Sequence, residues 1–96
     1  MSNVDNEFYD RADAHIRLSN EQISVDISKG KASASMMYAT SRFNAWVSAT
    51  GWENGEEMHA AKEETIAYFV EQYKAMLEEN LNDYIDNFNS YMTRKE

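Results

Sequence analysis

The chain has 96 residues, a net charge of −8, and neither cysteine nor proline. That length makes one domain able to bury a core, while the lack of cysteine excludes disulfides and thiolate metal sites and fits a reducing compartment. Residues 1–48 hold six acids against five bases, and residues 49–96 hold eleven against four. Nucleic-acid binders cluster Lys and Arg to displace counterions from phosphate; here Lys29 with Lys31 and Arg94 with Lys95 are only pairs, so neither nucleic acid nor an anionic membrane is an expected partner. The polar, acidic start from Met1 to Asp10 lacks the basic and apolar regions of a secretory signal, and no apolar run approaches the ~20 residues that span a bilayer. The expectation is a soluble, cytoplasmic protein.

From about residue 4 to 27 the spacing predicts a first helix. Phe8, Ala12, His15, Ile16, Ser19, Ile23 and Ile27 share about a third of the helical wheel. Ser2 or Asn3 can cap its start, and Glu7 with Arg11 and Asp13 with Arg17 stand four apart, acid first. Past Asn20 the alternation of Ile23, Val25 and Ile27 would suit a short strand, but nothing else in the chain offers a strand to pair with, so it is read as a fraying helical end.

A second helix is predicted over about 29–50, after a break at Ser28–Lys31. Ala32, Met36, Ala39, Phe43, Trp46 and Val47 line one face, and small Ala and Ser side chains line the others. Small groups let backbones approach, which predicts a central helix touched on more than one side. Gly51 suits a left-handed C-terminal cap.

Asn54 followed by Glu57 forms a capping-box pattern, with Glu56 and Glu57 complementing the helix dipole. From there to residue 92 one helical stripe runs through Met58, Thr65, Ile66, Phe69, Val70, Tyr73, Met76, Leu77, Leu81, Tyr84, Phe88 and Tyr91. As a single rod over 55–92 it would run nearly 60 Å at ~1.5 Å per residue, whereas a domain of this size has a radius of gyration of ~13 Å. It therefore bends into a short fourth helix or overhangs into a dimer contact. If it bends, Asn80 to Asp83 is the place, since asparagine is a poor helix former. The predicted fold is all-α, three long antiparallel helices joined by short connections.

Candidate chemistry is sparse. Glu56, His59 and Glu63 form one Glu-x-x-His unit of the kind used in carboxylate-bridged di-iron bundles, but those sites need two units and two more glutamates; only a symmetric dimer would supply the second. A metal-dependent or small-molecule-binding bundle is thus the alternative reading. The simpler one is an exposed, acid-rich first turn. His15 has Asp10 and Asp13 nearby, neither at helical contact spacing, so a half-buried histidine is expected there rather than an acid–base pair. Gly30-Lys31-Ala32-Ser33 lacks the upstream glycine and strand of a phosphate loop, and no serine, thiol or dinucleotide motif is complete. No cofactor is expected.

Arg42 precedes Trp46 by one turn and could stack on it, though Trp46 as a core anchor with Trp52 covering the helix end is the plainer assignment. Trp52, Tyr84, Phe88, Tyr91 and Met92 are the interface candidates, because an overhanging apolar stripe marks a contact surface. The leading functional expectation is a non-enzymatic protein–protein interaction module, paired with itself or another protein.

Four strings carry a resemblance: Phe8-Tyr9-Asp10-Arg11-Ala12-Asp13-Ala14-His15-Ile16, Ser33-Ala34-Ser35-Met36-Met37-Tyr38-Ala39, Arg42-Phe43-Asn44-Ala45-Trp46-Val47 and Tyr68-Phe69-Val70-Glu71-Gln72-Tyr73. Together they resemble a bacterial family of small acidic proteins known as domain of unknown function 3144. The resemblance covers about residues 6–92. It implies a bacterial, cytoplasmic, single-domain protein and brings no activity or site residue with it.

Overall fold

The computed structural model describes residues 5–93, and the expected caps at Ser2 and Asn3 lie outside them. The described residues are all-α, with no strand: α1 (Phe8–Gln22), α2 (Lys29–Ala49), α3 (Gly55–Ala60), α4 (Lys62–Asp86) and α5 (Phe88–Met92). They group into two compact units that divide between Val47 and Ser48.

In the first unit, α1 starts later than its periodicity suggests. Asp5 sets the start: its carboxylate accepts the Glu7 N–H at 2.9 Å and its carbonyl accepts the Phe8 N–H at 3.1 Å. Arg11 turns away from Glu7 and reaches back to Asp5, Nη2 to Oδ2 at 2.9 Å and Nη1 to Oδ1 at 3.3 Å. Those bonds hold the Asp5 carboxyl below the usual carboxylate range, the Arg11 hydrogen bond being the largest cause.

The helix does not run to Ile27. It stops at Gln22, and Ile23 is extended, with φ −77° and ψ 132°. The reason is Ser24, whose hydroxyl accepts the N–H groups of Asp26 and Ile27, both at 3.2 Å, while its own N–H bonds the Ile27 carbonyl at 3.0 Å. A serine offering the backbone this alternative competes with the helix, and the β-branched Ile23, Val25 and Ile27 resist helix weakly. The result is a tight turn with neither helix nor strand. Ser28 then caps α2, its hydroxyl accepting the Lys31 N–H at 3.2 Å and its carbonyl the Ala32 N–H at 3.1 Å.

Helix α2 contains Ala32, the only buried side chain among the described residues, at 4% exposure. The core expected around Trp46 is not there. Phe43 and Trp46, one turn apart, pack on each other with ring centroids at 5.6 Å and leave their outer faces exposed. Two rings on the same helix face shield each other on one side only, and Arg42 is not the partner of Trp46 in this pairing.

The second unit holds the end of α2 and the three helices that follow. Gly51 does not cap α2 in the left-handed region, since no described glycine has positive φ. The helix closes instead through tight turns, the Gly51 N–H on the Ser48 carbonyl at 3.0 Å and the Trp52 N–H on the Ala49 carbonyl at 3.2 Å. Three-residue spacing of this kind is how many helices tighten at their ends.

The segment 55–92, read as one overhanging rod or as a helix bent near Asn80–Asp83, is three helices, and none of its breaks falls at Asn80–Asp83. There the Asn80 side chain donates to the Met76 carbonyl at 2.9 Å, so it follows the helix rather than leaving it. The interruptions fall at Ala61 (φ −94°, ψ 4°) and Asn87 (φ −120°, ψ 29°). At Ala61 the cause is Thr65. Both its N–H and its hydroxyl bond the Ala61 carbonyl, each at 2.9 Å. A hydroxyl that bonds the carbonyl four residues back bends a helix. The Ala61 N–H splits between the carbonyls of Glu57 and Met58, at 3.3 and 3.2 Å, so the hydrogen-bonded path crosses the bend.

Candidate functional site

Helix α4 has 25 residues and two differently built ends. Its approach begins at Asn54, which caps α3 as the sequence predicts: Asn54 Oδ1 accepts the Glu57 N–H at 2.9 Å. The reciprocal bond reaches one residue further out than in the usual box, Glu57 Oε1 accepting the Glu53 N–H at 2.8 Å. Two donors at the helix start are thereby satisfied. The Glu56 and Glu57 charges sit at the positive end of the helix dipole.

This cap fixes the wall of an open cleft of about 490 Å³ lined by Gly51, Trp52, Glu57, Ala60, Ala61 and Glu64. The tight turn after α2 delivers Trp52, and Glu64 stands two helical turns beyond Glu57 on the same side. Trp52 is 41% exposed here.

The metal candidates are not assembled. Among the described residues no three His, Asp or Glu side chains are placed to hold a metal ion, and that includes Glu56, His59 and Glu63. Glu56 and His59 belong to α3 and Glu63 to α4. The bend between them removes the continuous helical register on which the grouping depended. His15 is exposed on α1, not half-buried as its place on the stripe suggests.

At the far end of α4 two of the interface candidates, Tyr84 and Tyr91, meet. The rings of Tyr84 and Tyr91 lie 4.7 Å apart at an interplanar angle of 39°. Asp83 clasps the two helices on either side of Asn87: one carboxylate oxygen accepts Asn87 Nδ2 at 3.0 Å and the other accepts the Tyr91 hydroxyl at 2.9 Å. Asn87 Nδ2 also reaches the Asp83 carbonyl at 3.0 Å. The Asp83 hydrogen bond, followed by its charge, raises the Tyr91 phenol above its ordinary pKa, because ionising it would set an anion against the carboxylate. Around this clasp Phe88 is 58% exposed and Tyr84 49%, and Tyr91 and Met92 also face solvent.

Trp52 is not part of that patch. Twenty residues of α4 separate Glu64, at the cleft, from Tyr84, a helical distance of ~30 Å. The five interface candidates therefore divide into two sites. The sequence did not reveal Asp83 and Asn87 as the groups that hold the second, although aspartate and asparagine four apart on a helix can pair.

Fold and sites together define a small all-helical protein with an aromatic face at one end of its longest helix. Among the described residues no helix is long and apolar enough to cross a membrane. The chain belongs to the family described as "Protein of unknown function (DUF3144)", whose model matches residues 8–85. It is similar to the protein NB7890A from Shewanella sp, solved by NMR, at 42% identity over 98% of this chain and 99% of that one, with a TM-score of 0.79. No curated protein matches it.

Proposed function

We propose that this protein is a non-enzymatic interaction module whose aromatic face, Tyr84, Phe88, Tyr91 and Met92, pairs with another protein chain, a second copy being the first partner to test. One observation carries the reading: these four large side chains are 40–58% exposed together at the end of α4 and in α5. Exposed apolar side chains, where they adjoin, mark protein contacts, and tyrosine, phenylalanine and methionine are enriched at them. The clasp from Asp83 supports the same reading, since it orders the face before a partner arrives and so lowers the cost of binding. No complete catalytic set is legible in the sequence.

An antiparallel arrangement of the three long helices and a cytoplasmic location are parts of this proposal. The sequence supports the first by its short connections and the second by its lack of cysteine.

Sedimentation at rising concentration tests it. The expected result is a dimer that Phe88→Glu converts to a monomer with its helix content kept. A strict monomer at high concentration, with Phe88→Glu unfolding the whole chain, would place this face in an internal core and end the proposal.

A further inference from the structure

We infer that the Trp52 cleft is a binding site for an arginine side chain presented by a partner protein. This deepens the interaction-module reading and rests on it for the partner, but the cleft is separate from the aromatic face and is tested separately.

The cleft has the chemistry a guanidinium needs and little else. Trp52 lines it, and indole is the best of the aromatic platforms for a cation. Ala60 and Ala61 add small apolar groups to the lining, so no bulky side chain of theirs stands in the way of a planar group. Glu57 and Glu64 stand on the rim, and a planar, five-donor cation bonds carboxylates in parallel pairs more readily than a point-charge ammonium does. Glu57 is held in place by its own bond to the Glu53 N–H at 2.8 Å, so its carboxylate is positioned before a ligand enters. The surroundings agree in sign. Residues 49–96 carry eleven acids against four bases, a field that draws a basic segment toward this half of the chain. The same field disfavours an anionic ligand, and the charged rim disfavours a purely apolar one.

The probe is N-acetyl-arginine amide, followed by NMR on the full chain through the Trp52 indole N–H and the Ala60 and Ala61 amides. Acetyl-citrulline amide, the neutral near-isostere, serves as control. Arginine amide is expected to shift these signals saturably, with a dissociation constant on the order of 1–10 mM for so small a ligand. Glu64→Gln is expected to weaken binding by about threefold or more, as removal of one exposed charge partner would. Trp52→Leu is expected to abolish it while leaving the Asn54 cap intact. Equal shifts from citrulline, equal shifts at the exposed Trp46 indole, or no response at Trp52 would each overturn the assignment. None of those results would bear on dimerisation through Phe88, which sedimentation measures on its own.

Discussion

The two ends of α4 are stabilised by opposite means. At the N-terminal approach, side chains act on the backbone: Asn54 and Glu57 satisfy helix-start N–H groups. Thr65 doubles its grip on the Ala61 carbonyl. At the C-terminal end, side chains act mainly on one another: Asp83 joins Asn87 and Tyr91, and Tyr84 lies against Tyr91. The first arrangement shapes a cleft and leaves charge on its rim. The second arranges aromatic rings that stay in solvent. A helix start must meet its unpaired donors somewhere, so polar residues there serve the fold. An exposed aromatic clasp meets no such obligation.

Breaking the first end should have the largest effect. Asn54→Ala is expected to destabilise the chain by about 1 kcal/mol, the usual cost of a lost N-cap, measured by urea unfolding. Amide exchange at Tyr91 should not change; if both ends loosen together, they are one cooperative element and the contrast fails. A smaller change is expected from Thr65→Val, which keeps the shape and removes the hydroxyl. Stability should move by no more than about 0.5 kcal/mol, within the range of ordinary propensity differences, while the Ala61 carbon shifts move toward regular helix. An unchanged bend would mean that Thr65 is not its cause.

At the other end, Tyr91→Phe removes only the hydroxyl from the clasp. Faster amide exchange in α5 is expected, with Asn54 and Glu57 unaffected, and a loss of stability below that of Asn54→Ala. The smallest effect is that of pH. The Tyr91 pKa is raised in the folded chain, so the protonated clasp contributes fully below the ordinary phenol pKa and is lost as pH rises through the raised value. Ring signals of Tyr91 should accordingly titrate at higher pH in the folded chain than in urea. Coincident titrations would show that the bond to Asp83 contributes nothing in solution.

What could be read in the sequence was local and involved the backbone. The all-helical class, α2 and the Asn54–Glu57 cap all follow from periodicity or from a fixed three-residue spacing. The bend at Ala61 did not, because alanine is the best of helix formers and its cause, Thr65, sits four residues on and reads as one more member of the stripe. Asn80 and Asn87 are more instructive still. Both place their side-chain nitrogen on the carbonyl four residues back, at 2.9 and 3.0 Å. Only Asn87 finds a carboxylate at the same point, from Asp83, and only there does the helix pause. Composition treats the two asparagines alike; their neighbours do not. Likewise the grouping of Glu56, His59 and Glu63 relied on a helix that the Ala61 bend interrupts, and the division of Trp52 from Tyr84 follows from the length of α4.

The turn between α1 and α2 offers a practical opening. Val25 projects wholly into water, at 102% exposure, from a loop held by the Ser24 hydroxyl and by the Ser24 N–H on the Ile27 carbonyl. Exposed loop tips of this kind accept insertions and are the first places proteases cut. A fluorophore or affinity handle can therefore be grafted between Val25 and Asp26 without interrupting either α1 or α2.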